Sequence, residues 1–404
     1  MFSTFSSALL VLHMQPAQCN ALAQKKPTGD GFIMSTFEYV KDCWYPIGFS
    51  SEFPEGELQG HKIVGRPVVM WRSDKGEVVA FDDRCCHKRF PLSQSKLLDG
   101  GRLECAYHGL CYDTSGQCIA IPSQPDKAIP SQARLSVVPV KEQDGVVWIW
   151  PGNPAAAQRV APPRTPEILD PANLSIGSPG PLRVPANYLL LIENLLDITH
   201  FYPLHDGNIG DKENSKIPVE LEEGESEGYT YVKTTRHVDS YQQPPYLKEW
   251  FLYDTVERIH THCMVTPGLT RVVMRVAPRG ELGTDKERGY TLLHLHLPVD
   301  ERNLVWRWSV SCKNWHRTLS DPTMPTAQRV AEMFPEVVAQ DQWALERQQT
   351  MMEFPDDGYS ELFLKTDKAL RRARQILMAL QRKERELQIV PADRPTAVKE
   401  PVTP

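Results

Sequence analysis

Two short stretches of this chain bring thiols and imidazoles close together. The first is Cys85-Cys86-His87; seventeen residues later comes Cys105-Ala106-Tyr107-His108-Gly109. Together they make the donor set of a [2Fe–2S] cluster in which two imidazoles replace two thiolates on one iron. Each loop then gives its cysteine (Cys85, Cys105) to one iron and its histidine (His87, His108) to the other, so the cluster staples the loops together. A zinc site with two cysteines and two histidines would use the same donors. Zinc-finger spacing pairs Cys with Cys and His with His, whereas here each half is mixed. The Tyr-His-Gly turn after Cys105 also suits a tight loop around a cluster, which is the favoured occupant.

A second constellation lies in Glu193-Asn194-Leu195-Leu196-Asp197-Ile198-Thr199-His200-Phe201-Tyr202-Pro203-Leu204-His205. In a continuous helix His200 and His205 would point about 140° apart, at about 100° per residue. Pro203 cannot donate a backbone hydrogen bond and disfavours helix at Tyr202. The helix is therefore expected to stop near Phe201 and to let His205 turn back beside His200. Two such histidines lack only a carboxylate to make the facial triad of a non-haem Fe(II) site.

The helical pattern at roughly 326–352 offers that carboxylate. Asp341 lies three or four residues from Val337, Val338, Ala344 and Leu345, on the apolar face, whereas Glu332, Glu336 and Glu346 lie away from its centre. A carboxylate turned into a core needs a partner. A metal serves, and a buried ion pair with an arginine is the alternative. Asp197 sits three residues before His200 and could accept from a ring N–H of a ligand histidine; the plainer alternative is a helix-surface aspartate.

These residues need a scaffold, and 404 residues suggest two domains in an α+β arrangement. Residues 40–152 read as a small all-β domain. Short β-branched runs such as Pro67-Val68-Val69-Met70-Trp71 alternate with turn signals such as Ser73-Asp74-Lys75-Gly76, and Val146-Val147-Trp148-Ile149-Trp150 closes the unit. Residues 153–388 make a larger domain of antiparallel strands flanked by helices. It opens with an Ala- and Pro-rich linker or extended connection at 153–174 and a buried helix at about 189–199. Strand-like runs follow at 229–235, 251–265, 270–276, 290–297 and 304–311. A basic helix at about 360–387 carries Arg371-Arg372-Ala373-Arg374, which reads as a solvated face.

His260 with His262, and His294 with His296, each share a strand face by the period-two rule. They could line a pocket or be ordinary sheet histidines. Arg271 and Arg275 alternate similarly and could meet a substrate carboxylate or Glu257. Residues 1–33 read as a disordered or upstream-start extension, with a domain-like text beginning at Met34. Residues 389–404 read as a disordered Pro-rich tail.

A net charge of −6 argues against nucleic acid. Nine cysteines without a regular framework point to a reducing compartment, hence the cytoplasm. No apolar run approaches the length of a membrane span.

The chain resembles the Rieske non-haem iron oxygenases, oxygenase (alpha) component, over residues 44–152 and 180–350. Among their subfamilies it is most similar to the vanillate O-demethylase oxygenases. Trp44-Tyr45, Tyr107-His108-Gly109-Leu110, Trp148-Ile149-Trp150-Pro151-Gly152, the Asn194-x2-Asp197-x2-His200-x4-His205 run and Leu345-Glu346-Arg347-Gln348-Gln349 carry the likeness. Cys86 and Lys88 depart from it, standing where the family usually has Pro and Arg; neither is a ligand position.

The resemblance implies a monooxygenase that uses O2 and O-demethylates a methoxyaryl substrate. The alternative is ring hydroxylation or cis-dihydroxylation on the same metal centres. It gives Asn194 and Asp197 catalytic positions. It also implies a head-to-tail homotrimer in which His108 of one subunit faces His200 of the next across Asp197. A separate NAD(P)H-dependent flavin/iron–sulfur reductase would supply electrons, and the basic helix could dock it. This sequence has no nucleotide-binding fingerprint of its own. A simple Rieske ferredoxin would not need the His200, His205, Asp341 set.

Overall fold

A computed structural model describes residues 39–206, 208–354 and 361–389. The expected extension at 1–33 and the tail from 390 onward lie outside the described residues; Ile389 itself ends the last helix rather than starting the tail.

Three small antiparallel sheets occupy the first part. β1 (Tyr45–Phe49) pairs with β10 (Val146–Ile149), which pairs with β9 (Val140–Gln143); β2 (Gln59–Ile63), β3 (Arg66–Arg72) and β4 (Val78–Asp82) form a meander. β5 (Lys96–Leu98), β6 (Arg102–Glu104), β7 (Cys111–Tyr112) and β8 (Cys118–Ala120) form the third sheet. The turn between β3 and β4 closes with Gly76 N–H donating to the Ser73 carbonyl, at a left-handed φ of 79° that suits glycine. Val69, Trp71, Phe81, Leu103 and Tyr112 pack into one buried cluster that also holds Cys85 and Cys105. The cysteine loops therefore sit on a rigid apolar base.

The stretch expected as a linker or extended connection is packed against the β domain. Asn153 caps the short helix α1 (Pro154–Ala157), accepting from Ala155 N–H at 3.0 Å. The Trp44 indole donates to the Val160 carbonyl at 3.0 Å, and Gln143 donates to that of Pro162 at 2.8 Å. Its prolines lack N–H donors and keep regular structure short, and side chains of the β domain bond the Val160 and Pro162 carbonyls.

An eight-stranded antiparallel sheet dominates the rest. Its strands are β11 (Asn173–Gly177), β12 (Leu182–Val184), β13 (Glu220–Ser226), β14 (Tyr229–Gln242), β15 (Thr255–Thr266), β16 (Leu269–Ala277), β17 (Arg288–Asp300) and β18 (Asn303–Lys313). The order is β11-β18-β17-β16-β15-β14-β13, with β12 also pairing to β18. From β13 to β18 consecutive strands are neighbours, the simplest way to join antiparallel strands.

Helices α2 (Tyr188–Leu196), α3 (Phe201–Leu204), α4 (Lys212–Ser215), α5 (Pro245–Phe251), α6 (Thr326–Met351) and α7 (Lys368–Ile389) flank the sheet. Leu269, Leu293 and Leu295 of the large sheet pack with Trp44, Trp148 and Trp150, so one core joins the two parts. Arg307 clamps Glu52 across the same boundary at 2.8 Å.

The basic run on α7 is not wholly solvated. Ala373 and Arg374 are buried, and Arg374 pairs with Glu193 on α2 and with Glu361. The residues expected as the start of strand 251–265 divide between α5, which ends at Phe251, and β15, which begins at Thr255. Leu252 carries the left-handed φ of 71° that ends α5.

Candidate metal centres and substrate pocket

The two cysteine loops have the same backbone. Cys85 N–H donates to the Phe90 carbonyl and Arg89 N–H to that of Cys85; Cys105 N–H donates to Leu110 and Gly109 N–H to Cys105, all at 2.9–3.0 Å. Arg89 and Gly109, at matching places, have left-handed φ values of 57° and 71°. A Cβ on Gly109 would fall 2.9 Å from the Pro122 ring, so close approach as well as conformation favours glycine there.

Each loop turns its cysteine inward and its histidine outward. Cys85 and Cys105 are buried side by side, while His87 and His108 are exposed with ring centroids 4.5 Å apart. The Tyr112 hydroxyl lies 3.1 Å from Cys85 Sγ and 3.2 Å from Cys86 Sγ. Burial pushes the Cys105 thiol above its ordinary pKa, and the neighbouring Cys85 adds to this. Two inner thiols and two outer imidazoles fit a cluster with one buried and one exposed iron.

The second set is assembled by a break in helix. α2 ends at Leu196, and Asp197 has an extended backbone (φ −85°, ψ 115°). Its Oδ1 accepts from Thr199 N–H at 2.7 Å and from the Thr199 hydroxyl at 2.6 Å, which turns the chain. His200 and His205 then bracket the single turn of α3. The interruption is therefore at Asp197 and not at Pro203. Pro203 lies in the first turn of α3, where a missing N–H leaves no bond unmade.

His200 and His205 stand with ring centroids 5.2 Å apart. Asp341 reaches them from α6, its Oδ1 lying 3.5 Å from His200 Nε2 and 3.3 Å from His205 Nε2. Nitrogens of both histidines and a carboxylate oxygen lie within 4.8 Å of one another, as binding one metal ion requires. Asp341 is buried and, among the described residues, no arginine or lysine pairs with it.

Asn194 donates its amide to Asp341 Oδ1 at 2.9 Å, and Gln340 accepts from His205 Nδ1–H at 2.7 Å. Burial alone would depress His205, but Asp341 and Gln340 outweigh it and hold its pKa above the ordinary value. Asp197 Oδ2 lies 3.7 Å from His200 Nδ1. Burial would raise Asp197, yet His200 and Thr199 hold its carboxyl below the usual range.

These donors border a pocket whose free volume, its open mouth included, is about 680 Å³. Phe201, Trp250, Tyr290, Leu292 and Phe334 make it largely apolar, as small-molecule sites are. His260, His262 and His294 line it, whereas His296 is turned to the Thr270 hydroxyl at 3.2 Å. All four are buried. Arg271 pairs with Glu167 and Arg275 with Glu287, so neither meets Glu257 or the pocket. Arg258, Tyr246 and Trp250 were not anticipated. Arg258 shares the inward face of β15 with His260 and His262, and strand alternation alone could have pointed to it.

Residues 43–139 match the Rieske [2Fe–2S] domain family, and residues 184–383 match the vanillate O-demethylase oxygenase C-terminal domain family. The chain belongs to the Rieske non-haem iron oxygenases. The iron–sulfur subunit of the toluene-4-sulfonate monooxygenase system of Comamonas testosteroni is 30% identical over 226 residues, 55% of this chain and 58% of the relative. The dicamba O-demethylase oxygenase component of Stenotrophomonas maltophilia is 35% identical over 189 residues, 47% of this chain and 54% of the relative. The chain thus spans a little over half the length of these two relatives.

The crystal structure of dicamba monooxygenase bound to 3,6-dichlorosalicylic acid superposes with a TM-score of 0.75 at 25% identity, covering 86% of this chain and 99% of the other. A further structure of that enzyme, with non-haem iron and dicamba, gives 0.70 at 25% identity over 87% and 100%. This Rieske oxygenase chain therefore has the β domain and the sheet-and-helix domain of its relatives.

Proposed function

We propose that this chain is the terminal oxygenase of a multicomponent Rieske system that O-demethylates an aromatic methyl ether. The observation supporting this reading is the meeting of the His200, His205 and Asp341 donor atoms within 4.8 Å beside a largely apolar, aromatic-lined pocket. Cys85, His87, Cys105 and His108 would hold the cluster, and His200, His205 and Asp341 the Fe(II).

When bound, these groups supply single electrons and the activation of O2 for inserting one oxygen atom into a C–H bond. The chain's own residues do the rest. Gln340 fixes the His205 tautomer, Asn194 orients the Asp341 carboxylate, and the apolar wall holds the ring and keeps water out. A methyl ether hydroxylated on its methyl carbon becomes a hemiacetal, which falls apart to a phenol and formaldehyde without further catalysis.

The reading brings partners with it. A flavin/iron–sulfur reductase oxidising NAD(P)H would feed the cluster at the exposed His87 and His108 edge, where Tyr107 is also 60% exposed. A head-to-tail homotrimer would set His108 against the next subunit's Asp197 and His200. Among the described residues no helix is long and apolar enough to cross a membrane, and a cytoplasmic site of action suits the free cysteines.

The test is turnover of 4-methoxybenzoate with NADH and a Rieske-system reductase. Formaldehyde and a phenol in equal amounts are expected. A cis-diol or ring phenol without formaldehyde would replace demethylation by ring oxidation on the same donors.

A further inference from the structure

One wall of the pocket carries a buried guanidinium that forms no ion pair among the described residues. On the inward face of β15 stand Arg258, His260 and His262, each two residues and so about 7 Å along the strand from the next. His262 lies at the end near α2, donating Nδ1–H to the Leu195 carbonyl at 2.6 Å. Its Nε2 must then accept, and the donor is His260 Nε2–H at 3.1 Å. His260 Nδ1 is left as an acceptor, facing an Arg258 Nη2–H at 3.4 Å. Hydrogen bonding thus fixes both tautomers and points the chain of donors back to the guanidinium. Burial pushes both imidazoles far below their ordinary pKa, so neither adds nor cancels charge at neutral pH.

Arg258 itself is only 3% exposed. Its Nε donates to Met274 Sδ at 3.1 Å, and its guanidinium lies 4.7 Å from the centre of the Tyr241 ring. Nη1 is buried and has no hydrogen-bond partner among the described residues. Among the described residues no carboxylate forms an ion pair with Arg258; Asp211, nearby, accepts from the Tyr241 hydroxyl. A buried guanidinium with no carboxylate in direct contact is costly, and native structures seldom leave one so. The group borders the pocket together with Tyr246 and Tyr290, on the strand end away from His262 and α2.

We infer that Arg258 is the counter-ion for an anionic group, a carboxylate or a sulfonate, on the aromatic substrate. This rests on the oxygenase reading and narrows its substrate class: the anion sits at the Arg258 end, and the carbon to be oxidised faces His200, His205 and Asp341. A planar guanidinium fork suits both anions, through two N–H donors to two oxygens.

Binding tests this without turnover. Iron- and cluster-loaded protein, kept anaerobic, is titrated calorimetrically with 4-methoxybenzoate and 4-methoxybenzenesulfonate, then with the neutral 4-methoxybenzamide and 4-methoxybenzenesulfonamide. At least one anion is expected to bind about tenfold to a hundredfold more tightly than its neutral counterpart. Arg258→Met should erase that preference while neutral ligands bind as before, and Arg258→Lys should keep part of it.

Absence of any preference in the wild-type protein, including failure of all four to bind, overturns the assignment. So does a preference that survives in Arg258→Met. The wild-type comparison needs no variant, so it stands even if Arg258→Met misfolds. Failure to release formaldehyde with the anion preference intact would count against demethylation and not against Arg258.

Discussion

Gln340 decides which nitrogen of His205 faces Asp341. Its Oε1 accepts from Nδ1–H at 2.7 Å, leaving the Nε2 lone pair turned toward Asp341. Partners of this kind typically carry a factor of ten to a hundred in metal affinity. Gln340→Leu is therefore expected to weaken Fe(II) binding by about 10- to 100-fold, with the cluster's visible spectrum unchanged. An unaltered iron titration would remove Gln340 from this role. Asp341 could be found in sequence because a carboxylate on an apolar helix face is anomalous. Gln340 could not, since a half-exposed glutamine beside that face looks like any surface residue. Asn194 was marked only by family likeness, and its bond to Asp341 gives the physical reason for it.

At the scale of elements, α2 carries Asn194 and leads into Asp197, so whatever holds α2 holds the site. Glu193 on α2 is buried and bonded twice to Arg374 of α7, which also takes Glu361 at 2.6 Å. Removing one partner of a buried pair strands the other's charge. Arg374→Ala is therefore expected to cost about 3–5 kcal/mol of stability, read as a fall in unfolding temperature and in denaturant midpoint. A loss under about 1 kcal/mol would mean the pair behaves as a surface one. The sequence hid this pair because its partners are 181 residues apart and Arg374 follows Arg371 and Arg372 in a basic run. The strands from β14 to β18 were legible, since apolar alternation and consecutive pairing coincide. β13 was not: it is an acidic edge strand, Glu220-Leu221-Glu222-Glu223-Gly224-Glu225-Ser226, and is largely exposed.

Across the whole molecule, buried imidazoles set the response to acid. Burial depresses His61 and His316 to about 4, His262 and His296 to about 3, and His260 and His294 well below their ordinary value. Below pH 6.5 the unfolded chain takes up protons that these six positions refuse, so stability falls as pH falls, by up to about 1.4 kcal/mol per pH unit for each group. Burial raises Glu193 and Glu384 to about 7, and these two oppose the trend between pH 7 and 4.5. Six groups outweigh two, and the unfolding temperature is expected to drop steadily from pH 6.5 to 5; a flat profile would contradict the neutral buried histidines. The two donor sets were legible because ligand chemistry is written in residue type and spacing. The pocket wall was legible only in part: strand alternation offered His260, His262 and His294 as lining, whereas Tyr246, Trp250 and Phe334 come from α5 and α6. Iron analysis of the wild-type protein and of Asp341→Asn, paired with an EPR spectrum of each after reduction, tests the central claim most directly. The wild type should hold about three irons per chain and the variant about two, with the same spectrum of a histidine-ligated cluster in both. Equal iron in the two proteins, or zinc in place of iron, would contradict it.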